Sequence, residues 1–302
     1  MSNPAGPAEP LGPAGSSAPA DPLAPLAALP GVSEAVESVR KSVDRVYGHR
    51  VMRRRSSEVT AEAALRGARA SAALDGADWE LEEVRRRSDF GAEDAARTVG
   101  AALRVTAESG QLLDVWRQSP LRVLARLHLV AAGGGGALAD SVGRPRLAGE
   151  TVSDELVSGE VASAEAASGQ AVALPSAEEV SARLDALSRL VVAGSTAPAL
   201  VLAAIVHAEL AVLRPFVSHN GVVARAAERI VLVGSGLDPK SVCPAEVGHA
   251  EPGGEAYARA LASYASGAPE GVAEWIAHCG RAVELGARES TAVCEAMQRG
   301  AA

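Results

Sequence analysis

Valines at positions 32, 36, 39, 43 and 46 recur at alternating spacings of four and three. That interval keeps returning to one side of a 3.6-residue turn, so the stretch predicts an amphipathic helix beginning after Pro30-Gly31. A second helix is predicted over 58–74. It should stop at Asp75-Gly76, where a glycine can take the left-handed cap conformation. A third spans about 92–109. Ser119-Pro120 starts a fourth, with Ser at the N-cap and Pro at the first helical position. This helix carries Leu121, Leu124, Leu127 and Leu129 and halts at the glycine run 133–136. Residues 137–175 have no helical period, and Gly143-Arg144-Pro145-Arg146 reads as a turn, so a short hairpin or irregular flap is expected near 140–170.

Helical signals resume at Ser176-Ala177-Glu178-Glu179, a capping box with Ser at the N-cap and Glu three positions on. From Thr196 to Leu213 the chain is apolar nearly all round, which predicts a helix at the centre of its domain. At fifteen residues its apolar run, 199–213, is shorter than the ~20 residues of a membrane span, and it contains His207 and Glu209. Arg214-Pro-Phe-Val-Ser-His-Asn-Gly221 follows. Pro215 disfavours helical geometry at Arg214, and Asn-Gly marks a turn. Further helices are expected over 222–233, 254–265 and 269–285. No strand–helix alternation appears, so the fold class is all-α. The expected division is a disordered Pro/Ala-rich tail over 1–30, N-terminal helices over 31–90, a helical core over 91–286 and a C-terminal helix or tail over 287–302.

Charge and cysteine usage narrow the chemistry. The chain has 302 residues, 29 Lys+Arg against 37 Asp+Glu, and a net charge of −8. Only Lys41 and Lys240 are lysines. An acidic, lysine-poor chain is a poor binder of polyanions, so no nucleic-acid partner is expected. Membrane association is not expected either. Cys243, Cys279 and Cys294 are odd in number and form no disulfide framework or zinc spacing, and the six histidines include no His-x-x-x-His pair. A reducing cytoplasm suits such a chain. His207 reads as a hydrogen-bonded core histidine and His249 as loop surface. Trp79, Trp116 and Trp275 read as core filling.

The 214–221 loop is the most informative feature. A glycine-containing loop entering a helix aims backbone N–H groups and the helix dipole at one point, an arrangement suited to phosphate. An unliganded helix connection has the same spacing. Arg214-Pro-Phe-Val-Ser-His-Asn-Gly-Val-Val-Ala-Arg225 resembles a worn copy of the Fic (Fido-fold) signature, H-P-F-x-[DE]-G-N-G-R-x-x-R. Pro215, Phe216, Asn220, Gly221 and Arg225 survive. The His is Arg214, the acid is Ser218, the first Gly is His219 and the first Arg is Val222. Ala204-Ile-Val-His207 resembles the family's A-x-x-H, and Leu127-His128-Leu129 with its glycine run resembles the segment before the flap. Ser71-Ala-Ala-Leu-Asp75-Gly76 resembles the inhibitory motif [ST]-x-x-x-E-[GN], with Asp for Glu.

The resemblance implies a Fido-like helical domain. It also implies AMP transfer from ATP to a protein hydroxyl, with magnesium, in members whose signature is complete. The signature His would take the hydroxyl proton, the acid would hold Mg²⁺, and the second Arg would meet the terminal phosphate. Here Arg214 cannot accept a proton, Ser218 offers a neutral hydroxyl to a metal that prefers carboxylate, and Val222 removes a cation. A degenerate protein without AMP-transferase activity is therefore expected, with no catalytic residue and no metal ligand in the loop. Asn220, Gly221, Arg225 and Arg214 are candidate nucleotide- or phosphate-binding residues, and ATP or ADP the candidate ligand. His219 as a relocated base in an active nucleotidyltransferase is one alternative. A protein-interaction module on the same scaffold is another. Ser71, Asp75 and Gly76 are the candidate inhibitory residues, with an Asp75–Arg225 ion pair as the sharpest geometric expectation. The target protein and the oligomeric state are left open.

Overall fold

The computed structural model describes residues 21–91, 93–133, 139–153 and 174–300. Thirteen α-helices run through them. They are α1 (Ala24–Ala27), α2 (Val32–Gly48), α3 (Met52–Leu74), α4 (Leu81–Arg86), α5 (Asp94–Ser109), α6 (Leu113–Trp116) and α7 (Pro120–Ala132). After a single 3-10 turn at Ala139–Ser141 come α8 (Ala177–Ala193), α9 (Ala199–Leu213), α10 (Asn220–Gly234), α11 (Ala245–Ala250), α12 (Gly254–Ala265) and α13 (Pro269–Gln298). No strand occurs among the described residues, so the all-α class is observed.

The valine stripe makes α2: Val32, Val39, Val43 and Val46 are buried, and the helix lies along α13. The central pair is α9 and α10. Ten of the fifteen residues of α9 are buried, as are thirteen of the fifteen of α10. A helix apolar on nearly every side, as α9 is, has nowhere else to go, because leaving such surface in water costs ~25 cal/mol per Å². In α10 even Arg225, Glu228 and Arg229 are buried, so each must find a partner inside the protein. The capping box forms as expected at α8, where the Glu179 amide donates to Ser176 Oγ at 3.1 Å.

Several expectations need correction. Residues 21–30, read as part of a disordered tail, carry α1. Asp21 accepts hydrogen bonds from the hydroxyls of Ser195 and Thr196, and Leu23 is buried. Residues 1–20 lie outside the described residues, as does most of the expected flap. On α7 the buried face is Val123, Leu124, Leu127, His128 and Ala131, while Leu121 and Leu129 are 37% and 42% exposed. A run of leucines at mixed intervals drifts around the helix, whereas the 3.6 period selects the other set. Ser119 occupies the N-cap of α7 but makes no side-chain cap hydrogen bond. Helix α13 does not end near 285 but continues to Gln298, through Gly286.

Gly286 and Gly248 explain that continuity. A Cβ on Gly286 would stand 2.4 Å from the Pro244 carbonyl oxygen, and one on Gly248 only 2.1 Å from that of Ala282. Here glycine serves close backbone approach of α11 to α13 rather than helix termination. Gly248→Ala must push two backbones apart, and overpacking of this kind costs ~1–3 kcal/mol or more. Chemical denaturation should register that loss. Gly253→Ala is not an adequate control because of its positive φ, whereas Gly110→Ala meets open space and should be near neutral.

Candidate functional site

The loop between α9 and α10 is held by its own side chains and by three neighbouring segments. Arg214 is the C-cap of α9 in left-handed geometry, with φ 44°, and His219 is the N-cap of α10 at φ 59°. Neither is a β-branched residue, for which positive φ would be severe. Between them Asn220 folds back on the chain. Its Oδ1 accepts from the Phe216 amide and its Nδ2 donates to the Phe216 carbonyl, both at 2.8 Å. Asn220 is thereby a structural clasp of the loop.

Arg146, which the sequence placed only in a turn, proves to be part of this site. It is buried, and its guanidinium donates to the carbonyls of Arg214 at 2.9 Å and of Pro175. Its amide donates to the Pro215 carbonyl at 2.8 Å. A cation on the last carbonyls of α9 is where the helix dipole favours one. Burial and the neighbouring Arg214 pull the Arg146 pKa down from its ordinary value. Further along, the Ser153 amide donates to the Val217 carbonyl at 2.8 Å. The 146–153 segment thus lies against the loop.

Ser218 sits between two imidazoles. His219 Nδ1 is 2.8 Å from Ser218 Oγ and His128 Nε2 is 3.4 Å away. The Gly143 amide donates to His128 Nδ1, so the neutral ring carries its proton on Nε2 and donates to Ser218. Ser218 can then donate to His219 Nδ1, and the chain of donors runs in one direction. The His128 ring also stacks on Phe216 at 4.2 Å. Burial, with a smaller push from His219, takes the His128 pKa down to about 4. Burial likewise lowers that of His219, against the pull of Asp75.

A pH consequence follows for His128. Between pH 6.5, its ordinary pKa, and about 4, the unfolded chain binds a proton there that the folded chain does not. Its contribution to stability is complete above this window and lost as pH falls through it. Denaturant midpoints measured from pH 7 to pH 4 should drop less steeply in His128→Gln than in the unsubstituted protein. Equal slopes would show that His128 is not held neutral.

The expected Asp75–Arg225 contact is formed. Arg225 Nη2 donates to Asp75 Oδ2 at 2.7 Å and to the Ser71 carbonyl at 3.0 Å, while Nε donates to Ser71 Oγ at 2.8 Å. Arg225 is 1% exposed, and its Nη1 and Asp75 Oδ1 are buried without hydrogen-bond partners. Burial draws the Arg225 pKa down, but Asp75 and Tyr257 together outweigh it and the net shift is upward. Asp75 is the C-cap of α3, and Gly76 follows with φ 89° as the sequence required. Asp75, Ser218 and His219 share a cleft of about 620 Å³ with Phe90, Arg104 and Ser153. Arg104 is a second wall residue that sequence reasoning missed. It donates to the Val130 and Ala131 carbonyls at the end of α7. Hydrogen bonds thus join Ser71, Asp75 and Arg225, and Asp75 in turn shares the cleft with Ser218 and His219.

The Fic/DOC family model matches residues 137–232, which include the loop, α9 and all but the last two residues of α10. The chain carries a Fic/DOC domain. The fold agrees with solved Fic structures. A Fic family protein from Desulfovibrio desulfuricans G20 superposes with TM-score 0.64 at 19% identity, covering 86% of this chain and 74% of that one. A Fic domain containing signaling protein from Bacteroides thetaiotaomicron VPI-5482 gives 0.59 at 12% identity, over 86% and 98% of the two chains. Fic-1 from C. elegans gives 0.55 at 16%, over 85% and 71%. At these identities the likeness is one of fold. No curated protein matches the chain. Among the described residues no helix is long and apolar enough to cross a membrane.

The Fic domain's loop offers poor magnesium ligation. Ser218 presents a hydroxyl where a carboxylate would serve, and that hydroxyl lies between His128 and His219. The Asp75 carboxylate on the same cleft is paired with Arg225. These donors do not make a magnesium site.

Proposed function

We propose that this Fic-domain protein does not transfer AMP and that its cleft is an anion-binding regulatory pocket held shut by α3. The observation that supports this most directly is the engagement of Arg225. Nε and Nη2 of Arg225, the one signature arginine that this chain keeps, face Ser71 and Asp75 inside the protein, not solvent. A phosphate can pair with Nη2 only by displacing the Asp75 carboxylate.

Base chemistry at the loop is also unsupported. Arg214 stays protonated at any physiological pH and can accept no proton. His219 has the right intrinsic chemistry, but its Nδ1 faces Ser218 Oγ and burial depresses its pKa. Its lone pair is therefore turned to a neighbouring side chain of the same loop. A target hydroxyl would have to compete for it.

ATP and ADP are the ligands proposed for the pocket, in a cytoplasmic protein. Calorimetric titration tests the reading. Nucleotide should bind the unsubstituted protein weakly, and Asp75→Ala should bind it more tightly. A freed charge-assisted contact is worth ~1.5–3 kcal/mol, which is roughly tenfold or more in affinity. Binding unaffected by the substitution, or none in either protein, would retire the anion-pocket reading and favour a scaffold that only docks other proteins.

A further inference from the structure

Away from the cleft, the core contains a group of side chains that the loop chemistry does not use. His207 on α9, Glu228 on α10, His249 on α11 and Cys279 on α13 each bring one donor atom to a common point, all within 4.8 Å of one another. Each residue comes from a different helix, so no sequence spacing reveals the set. His249, expected on a loop surface, is in fact fully buried, as are His207 and Cys279, and Glu228 is 1% exposed.

Glu228 Oε2 lies 2.8 Å from His207 Nδ1 and 2.9 Å from His249 Nε2. The other carboxylate oxygen, Oε1, is buried and has no hydrogen-bond partner. A buried carboxylate demands a cation, since its desolvation is expensive unless charge is matched. No Arg or Lys forms a salt bridge with Glu228 among the described residues; its two ion-pair partners are the imidazoles.

The far nitrogens of both rings are already held from outside the cluster. His207 Nε2 lies 2.8 Å from the Tyr257 hydroxyl, and His249 Nδ1 lies 3.1 Å from His278 Nε2. If those far nitrogens carry the protons, the lone pairs of His207 Nδ1 and His249 Nε2 point into the cluster. Fixing a ligating ring through its second nitrogen is the usual support of a metal-bound histidine. Trp275 closes the surroundings, edge-on to His207 at 5.1 Å and stacked with His249 at 6.2 Å.

We propose that His207, Glu228, His249 and Cys279 form a structural zinc-type site that ties α9, α10, α11 and α13 together. Two imidazoles, a carboxylate and a thiolate suit a tetrahedral borderline cation such as Zn²⁺ or Co²⁺, and not Mg²⁺ or Ca²⁺, which take oxygen ligands. The charges close: Zn²⁺ balances one carboxylate and one thiolate, and the Cys279 thiol proton leaves to solvent as the metal binds. Donor distances of ~2.0–2.3 Å require the two His–Glu contacts to open by only about half an ångström. Complete burial leaves no open coordination position, so the site is structural and the metal enters during folding.

Elemental analysis of the purified full-length protein is the first test, with one zinc per chain expected. Cys279→Ser combined with His249→Gln should lower that content at least tenfold. Should that variant fail to fold, the unsubstituted chain still decides the matter: refolded with Co²⁺, it should show the visible bands of tetrahedral cobalt and a thiolate charge-transfer band. Folded protein without zinc that also refolds in Co²⁺ without those bands would overturn the proposal. Cobalt bands lacking the thiolate feature would overturn the assignment of Cys279.

Discussion

Asp75→Ala is expected to lower stability by ~3–5 kcal/mol, because it strands the Arg225 guanidinium inside the protein. Arg225 is 1% exposed and Asp75 is its only acidic partner among the described ion pairs. Ser71 remains to accept from Nε and Nη2, so the loss should fall toward the lower end of that range. In a thermal melt the change is on the order of 10 °C for a domain of this size. Two controls separate charge from shape. Asp75→Asn keeps a hydrogen-bond acceptor and should lose less. Asp75→Ala with Arg225→Met removes both charges and should recover much of the loss, since a buried pair replaced by apolar side chains is often close to neutral. Added phosphate or nucleotide should raise the melting temperature of Asp75→Ala more than that of the unsubstituted protein, by mass action on the freed cation.

Glu246→Ala should cost a similar ~3–5 kcal/mol but leave the cleft untouched. Glu246 accepts from Arg229 in a two-pronged pair, Oε1 from Nε at 2.9 Å and Oε2 from Nη2 at 2.8 Å. Arg229 Nη1 donates to Ser241 Oγ at 2.6 Å, so every guanidinium nitrogen of this buried side chain is engaged. Burial pulls the Arg229 pKa down, and Glu246, with Asp238 and Glu228 behind it, more than restores it, leaving it above the ordinary value. Gly67 of α3 lies directly over the pair: a Cβ there would meet Arg229 Nη2 at 2.4 Å. Chemical denaturation of Glu246→Ala should show the loss, while nucleotide titration of the folded variant should match the unsubstituted protein. A parallel change in nucleotide affinity would mean that the two buried pairs are coupled through α10.

The two pairs also show what the sequence reveals and where it stops. The α2 stripe and the all-apolar α9 are local patterns that survive into the fold, whereas Asn220-Gly221, read from the sequence as a turn, instead opens helix α10. The Asp75–Arg225 pair spans 150 positions, yet it was legible because both residues sit in recognisable family motifs. Arg229–Glu246 carries no such motif, and neither does Arg146. Nothing in Gly-Arg-Pro-Arg indicates that one arginine will cap the end of a helix 68 positions on. The helix expected to end near 285 runs on through Gly286, because that glycine admits the Pro244 backbone instead of ending the helix, and only the packing of Pro244 against it distinguishes the two uses. His249 misled for a related reason. Flanked by Glu246 and Glu251 it looks like solvated loop, but the short helix α11 turns it inward to Glu228.

The central proposal is that a loop differing from the signature it resembles at Arg214, Ser218, His219 and Val222 no longer transfers AMP. Incubation of Asp75→Ala with α-labelled ATP, magnesium and a cell lysate probes it most directly, because this variant lacks the one acidic partner of Arg225 among the described ion pairs. No label is expected on the protein itself or on any lysate protein. Transfer of labelled AMP, above all transfer that disappears when His219→Ala is added, would contradict it.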